Sequence, residues 1–189
     1  VWRPRELNAH ETEWGFSCMS YEISGALGIK MANPDKEVIS FVGDGSYLLN
    51  NTDIYSSVIT NNKLIIIVCD NGGFAVINRL QLFKGGNEYN NLLKSSNTPG
   101  LVDIDFAKHA ESMGAKSEHV SSISDLEEAF KRAKKSKVTY VISIKTHAYQ
   151  WLEGSAFWDS PTLEVPTTKE NKEALRLYKE GKSKQRQGV

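Results

Sequence analysis

The sequence predicts an α/β protein built on a doubly wound parallel sheet flanked by helices. Three observations carry that prediction. Helical and strand-like patterns alternate from residue 17 to residue 145 with short links between them. The run from Leu64 to Cys69 is apolar without interruption, which suits a strand buried on both faces, the habit of parallel sheets covered by helices. Two successive strand-like runs also end in glycine-rich turns, Gly43-Asp44-Gly45-Ser46 and Asp70-Asn71-Gly72-Gly73.

Residues 17–32 place Met19, Ile23, Ala26, Leu27 and Met31 at helical spacing, and Asn33-Pro34-Asp35 closes that helix. Residues 37–42 (EVISFV) form a β-rich run that stops at the first glycine turn. Thr52 or Asp53 can cap a helix reaching about Asn61, and residues 63–69 supply the next strand. The stretch from Gly72 to Gly100 holds five of the chain's 14 glycines and reads as a long loop with one short helix near 78–83. Long irregular segments of this kind carry function more often than packing. Asp105 can cap a helix closed by Gly114, a short strand follows near 117–120, and Ser124 with Glu127 forms a capping box for a helix over 125–136. Residues 138–144 (VTYVISI) are the last buried strand. An aromatic segment with Trp151, Phe157 and Trp158 comes next, then Pro161 and Pro166, then a helix from about Lys169.

Composition excludes several functional classes. The 23 Lys and Arg balance 23 Asp and Glu, so no positive excess argues for nucleic acid or an anionic membrane surface as partner. The basic runs at 131–137 and 169–186 read as solvated helix faces. No apolar run approaches the roughly 20 residues that a spanning helix needs. Cys18 and Cys69 lack the spacing of a zinc site and read as buried reduced thiols of a cytoplasmic protein. His10, His109, His119 and His147 are scattered, and only His10 lies near the first glycine-containing segment. The chain opens Val1-Trp2-Arg3-Pro4 without Met, which suggests a piece of a longer chain. The expected organisation is a linker over 1–16, a cofactor-binding α/β domain over 17–148, and an aromatic and helical tail over 149–189.

In an open α/β sheet, ligands collect at the carboxyl ends of the strands, where both glycine turns lie. Asp44 offers a carboxylate, Asn71 a side-chain carbonyl, and the second turn a main-chain oxygen. These are hard oxygen ligands suited to Mg2+, which leaves positions for water and phosphate oxygens. Gly45 and Ser46 can offer N–H groups to a diphosphate, and the glycines let the backbone come close. A lone Gly-Asp-Gly is also a common turn, in which Asp44 and Asn71 would bond their own backbone. The pairing strengthens the ligand reading: 25 residues lie between Gly45 and Asn71, enough for one helix and one strand.

This pattern resembles the metal and diphosphate motif of thiamine diphosphate enzymes. Residues 15–47 (GFSCMSYEISGALGIKMANPDKEVISFVGDGSY) are similar to the cofactor-binding domain of the acetolactate synthase and benzoylformate decarboxylase superfamily. The segments DNGGFAVINRLQ and DFAKHAESMGAK and the ending QRQGV resemble more closely the C-terminal domain of the 3D-(3,5/4)-trihydroxycyclohexane-1,2-dione hydrolases of inositol breakdown. The resemblance implies that Asp44, Asn71 and the main-chain carbonyl of Gly73 hold Mg2+, which bridges the diphosphate of thiamine diphosphate. It implies that Gly43, Gly45 and Ser46 line the diphosphate. The backbone at Ser17 and Met19 would meet the aminopyrimidine ring, and Val76 would prop the cofactor in its bent conformation. Met19 and Val76 have an alternative reading as core residues. Asp70 stands where many relatives carry the first Asn of a pair, and Val76 is smaller than the usual Met or Leu at its position.

The implied reaction is cleavage of a ring C–C bond in a cyclic 1,2-dione. The alternatives are an acetolactate synthase-like or 2-oxoacid decarboxylase activity on a 2-oxoacid, and a non-catalytic cofactor-binding or oligomerisation module. The resemblance also implies that no catalytic residue lies in this chain. The activating glutamate would come from an N-terminal domain of the same enzyme across a dimer or tetramer interface, and Glu11, Glu13 and Glu22 are not assigned that role.

Overall fold

The computed structural model describes residues 4, 7, 9–12, 16, 18–98, 100, 102–151 and 162–185. Ser17, Glu13, Trp2, Phe157, Trp158, Pro161 and most of the QRQGV ending lie outside the described residues.

The chain divides into two compact units. The first comprises residues 1–70 and 104–146, the second residues 71–103 and 147–189. The first unit holds a four-stranded, wholly parallel sheet in the order β1-β2-β4-β3. Its strands are β1 (Ile39–Gly43), β2 (Ile65–Asp70), β3 (Lys116–Val120) and β4 (Tyr140–Lys145). The crossovers are helical, as parallel pairing requires.

The central strand shows why the sheet is doubly covered. Leu64, Ile66 and Val68 pack on one face with Ile23, Ala26 and Leu27 of α1 (Tyr21–Ala32), Ile54 of α3 (Thr52–Ile59) and Phe106 and Ala110 of α5 (Phe106–Ser112). Ile65 and Ile67 pack on the other with Ala129 and Ala133 of α6 (Ile123–Lys135). A strand buried on both faces has no polar side to alternate with, and each such Ile or Val contributes about 2 kcal/mol of burial. β1 lies at the sheet edge, and its Phe41 is 55% exposed.

Several expectations shift by a turn. α1 begins at Tyr21, four residues later than the periodicity suggests, because Ser20 takes a left-handed conformation (φ 76°) that an α-helix cannot contain. Cys18 therefore precedes the helix and is exposed, not buried, while Cys69 is half-buried. Met19 and Met31, expected on the apolar stripe, are exposed as well. A six-residue helix α2 (Asp44–Leu49) begins inside the first glycine turn. Neither Thr52 nor Asp53 caps α3; the Asp53 carboxylate accepts a hydrogen bond from the Ser24 hydroxyl at 2.6 Å. The cap of α6 is Ser122, whose Oγ accepts from the Asp125 N–H at 3.0 Å, in place of the expected Ser124 and Glu127 pair. Asp105 caps α5 as expected, accepting from the Lys108 N–H at 2.9 Å, and Gly114 follows at φ 87°.

The second unit contains α4 (Ala75–Phe83), a 3₁₀ turn at Leu93–Ser95 and α7 (Lys169–Ser183). Asn171 of α7 donates through Nδ2 to the Gly85 carbonyl at 2.6 Å and ties the tail helix to the end of α4. In α7, Arg176 pairs with Glu173 and Glu180, and Lys184 just past the helix pairs with Glu180. That is the behaviour of a solvated face.

Candidate cofactor-binding site

β1 and β2 end side by side, with Gly43 in register with Cys69, so Asp44 and Asp70 each follow the last pair of the ladder. The alternation of β1 buries Val42, and the next two positions carry the chain out of the sheet into α2. Asp44 occupies the first position of that helix and is only 2% exposed. A carboxylate this deep stays ionised only beside compensating groups, and a divalent cation is one such group. Its field reaches the neighbouring strand: burial, reinforced by the negative charge of Asp44, pushes the Cys69 thiol up from its ordinary range. Asp70 is also buried, and its carboxylate pairs with Lys145 of β4 at 2.6 Å. That pairing accounts for Asp70 structurally.

Ser46, 5% exposed, lies one turn into the motif. Its Oγ accepts the Ser20 N–H at 2.6 Å and donates to the Glu22 carboxylate, 2.9 Å from Oε2 and 3.1 Å from Oε1. The structure thus joins the segment after Met19 to the glycine turn. Glu22 is a participant that the sequence reading left without a role; the only signal was an acidic residue two positions after a serine at a helix start. Below the turn, Tyr47 is fully buried, and its hydroxyl hydrogen-bonds to His109 Nδ1 at 2.9 Å. Burial raises the Tyr47 pKa far above its ordinary value, so it remains a neutral packing residue. His109 is therefore structural, as its helical setting suggests.

The second unit carries Asn71, Gly73 and Val76. Gly73 forms an isolated antiparallel bridge with Leu92, made by the Leu93 N–H to the Gly72 carbonyl at 2.9 Å and the Phe74 N–H to the Asn91 carbonyl at 2.7 Å. The bridge uses the groups flanking Gly73. Gly73 sits at φ 140°, and a Cβ there would collide with the Asn91 carbonyl oxygen, so this position requires glycine. Val76 is 50% exposed on α4 and belongs to neither core cluster, as Met19 belongs to none.

Among the described residues, no three His, Cys, Asp or Glu side chains cluster as a metal site. The donor set expected for Mg2+ has one carboxylate, an amide oxygen and a main-chain carbonyl, a composition that fits a hard cation. His10, the one histidine set apart in the sequence, is exposed and lies 3.3 Å from the Thr12 hydroxyl. No helix among the described residues is long and apolar enough to cross a membrane.

Residues 1–144 match the family model described as "Thiamine pyrophosphate enzyme, C-terminal TPP binding domain". The chain is 37% identical over 178 residues to the 3D-(3,5/4)-trihydroxycyclohexane-1,2-dione hydrolase of Shouchella clausii, covering 93% of this chain and 28% of that protein. It is 38% identical over 164 residues to the enzyme of the same name from Clostridium tetani, covering 84% and 26%. The chain thus spans little more than a quarter of the length of these relatives. Among solved structures, the thiamine diphosphate-dependent 4-hydroxybenzoylformate decarboxylase of Rhodococcus jostii matches with a TM-score of 0.57 and 27% identity, covering 68% of this chain and 23% of that one. The parallel sheet with buried Asp44 at the carboxyl end of β1 agrees with that likeness, and the chain belongs to the family of C-terminal TPP-binding domains of thiamine pyrophosphate enzymes.

Proposed function

We propose that this chain is the diphosphate- and Mg2+-binding part of a thiamine diphosphate-dependent ring-opening hydrolase. The substrate is a trihydroxycyclohexane-1,2-dione or a close cyclic dione, and the enzyme is cytoplasmic. The observation that carries the reading is the buried Asp44 at the junction of β1 and α2, in a chain whose similarity to the dione hydrolases extends over 93% of its length.

In this reading Asp44, Asn71 and the Gly73 carbonyl hold Mg2+, and the backbone N–H groups of Gly45 and Ser46 meet the diphosphate beside Gly43. Ser17 and Met19 contact the pyrimidine through their backbone, and Val76 supports the bent cofactor. When bound, thiamine diphosphate supplies a nucleophilic carbon able to attack a carbonyl group. The residues of this chain bind and orient that group by a cation and neutral donors, so no basic surface is needed and the zero net charge causes no conflict. Residues 17–148 act as the cofactor domain, 1–16 as a linker and 149–189 as an aromatic and helical tail, with residues 72–100 and 149–166 contributing to the substrate wall. The activating glutamate belongs to an N-terminal domain of the same enzyme, supplied in a homodimer or tetramer.

Calorimetry on the full-length enzyme tests the metal assignment. Asp44→Ala abolishes Mg2+-dependent binding of thiamine diphosphate, and an unchanged affinity refutes the assignment. Assay with the cyclic dione and with pyruvate separates the activities. Turnover of pyruvate alone favours the 2-oxoacid reading, for which the likeness to the decarboxylase speaks. Binding without turnover of either favours a non-catalytic module.

A further inference from the structure

The geometry assigns Glu22 and Ser46 a positioning role: their hydrogen bond clamps Ser20 in its left-handed conformation and so sets the Met19 strip against the Gly43–Ser46 turn. This rests on the cofactor reading above and deepens it, since the segments joined carry Met19 and Gly43–Ser46, the residues proposed at the two ends of the cofactor.

Ser20 is a non-glycine residue at φ 76°, ψ 0°, and such a conformation costs on the order of 1–3 kcal/mol unless the surroundings impose it. Two contacts impose it: the turn closed by the Tyr21 N–H to the Cys18 carbonyl at 3.4 Å, and the 2.6 Å bond from the Ser20 N–H to Ser46 Oγ, which anchors that turn to α2. Ser46 can serve as that anchor because its own proton is committed to the Glu22 carboxylate at 2.9 Å, which leaves the oxygen's lone pairs for the Ser20 N–H. Glu22 is fixed in turn from behind: the buried Ser40 hydroxyl donates to the Glu22 main-chain carbonyl at 2.9 Å and ties the first turn of α1 to β1. α1, α2 and β1 are thereby joined by three hydrogen-bonded side chains at the carboxyl end of β1.

A chemical consequence follows. A hydroxyl has one proton, and a diphosphate can only accept, so Ser46 cannot donate its hydroxyl to the diphosphate without breaking the bond to Glu22. Its direct contribution to the cofactor is therefore its backbone N–H, and the side chain acts through Ser20. Glu22 and Ser46 Oγ are positioning groups, not catalytic ones.

The test uses the full-length enzyme with Mg2+ and two probes, thiamine diphosphate and inorganic pyrophosphate. Ser46→Ala raises the Kd for thiamine diphosphate by about 5- to 10-fold, the loss expected when one hydrogen bond and the conformation it holds are released, and leaves the Kd for pyrophosphate within about twofold. Ser20→Gly adopts positive φ without strain, so the double variant Ser20→Gly, Ser46→Ala recovers most of the lost affinity. Glu22→Gln keeps an oxygen that accepts from Ser46 and stays near wild type, whereas Glu22→Leu behaves like Ser46→Ala. Equal weakening of both probes by Ser46→Ala overturns the inference, because the hydroxyl would then touch the diphosphate itself. Absence of any effect, or no rescue by Ser20→Gly, overturns it too. The thermal midpoint without cofactor gives an independent reading: Ser46→Ala lowers it and Ser20→Gly restores part of the loss, and failure of that pattern counts against the clamp alone. Failure of the wild-type enzyme to bind thiamine diphosphate with Mg2+ counts against the proposed function.

Discussion

Thr139 offers a sharp test of how the sheet is joined to its helices. It is fully buried just before β4, and it links three elements through one relay. The Leu64 N–H donates to Thr139 Oγ1 at 3.1 Å, Thr139 donates to Ser57 Oγ at 2.7 Å, and Ser57 donates to the Ile54 carbonyl at 2.7 Å. The direction is fixed because Ser57 has a single proton and gives it to Ile54. Thr139→Val keeps the shape and removes the oxygen, so it deletes one buried hydrogen bond and strips the Leu64 N–H of its acceptor. An orphaned buried donor costs about 1–3 kcal/mol and a lost bond about 1, which together give a destabilisation of about 2–4 kcal/mol. In urea unfolding, with a slope of about 2 kcal/mol/M, the midpoint drops by about 1–2 M with the slope unchanged. Thr139→Ser retains the relay and loses only a methyl group, at about 1 kcal/mol. A Thr139→Val cost below about 0.5 kcal/mol, or one no larger than that of Thr139→Ser, would refute the reasoning.

Two further outcomes follow from single residues. Gly73→Ala places a Cβ against the Asn91 carbonyl at a backbone angle that alanine avoids; the displaced loop weakens Mg2+ binding by roughly tenfold, seen by titrating Mg2+ at fixed thiamine diphosphate, and unchanged affinity would remove Gly73 from the metal site. Glu118 accepts from Arg132 at 2.6 and 3.0 Å and from Tyr140 at 2.6 Å, and the Arg132 bonds above all hold its carboxyl below the usual range. A depressed folded-state pKa means the pair stabilises above the unfolded pKa and loses this as pH falls through the folded one. Glu118→Gln therefore costs about 1 kcal/mol at neutral pH and progressively less below pH 4, measured by denaturation at both pH values. An equal cost at both would show that charge plays no part.

The sheet was legible because its signals are local and strong. An uninterrupted run such as Leu64–Cys69 admits few placements, and the capping pattern at Asp105 and Gly114 marks its helix without help from the rest of the chain. Helix boundaries were less legible where a distant partner decides them. Met19 fits the period of α1, yet the helix starts at Tyr21 because Ser46, 26 positions away, holds the Ser20 N–H. Asp53 has the chemistry of a cap and is drawn instead to Ser24. Cys18 looks like a core thiol by composition but precedes the helix that would have buried it.

By itself, then, the sequence determined the α/β class and the strand-end location of the two glycine turns, and it offered the residues proposed to hold a metal and a diphosphate, because periodicity and side-chain type are properties of the chain. Tertiary structure decided which hydroxyl meets which carboxylate. It sank Asp44 to 2% exposure, turned Asp70 toward Lys145, and joined Ser20 and Glu22 at the start of α1 to Ser46 of α2. Those outcomes depend on distances between residues far apart in the chain, and only packing fixes such distances.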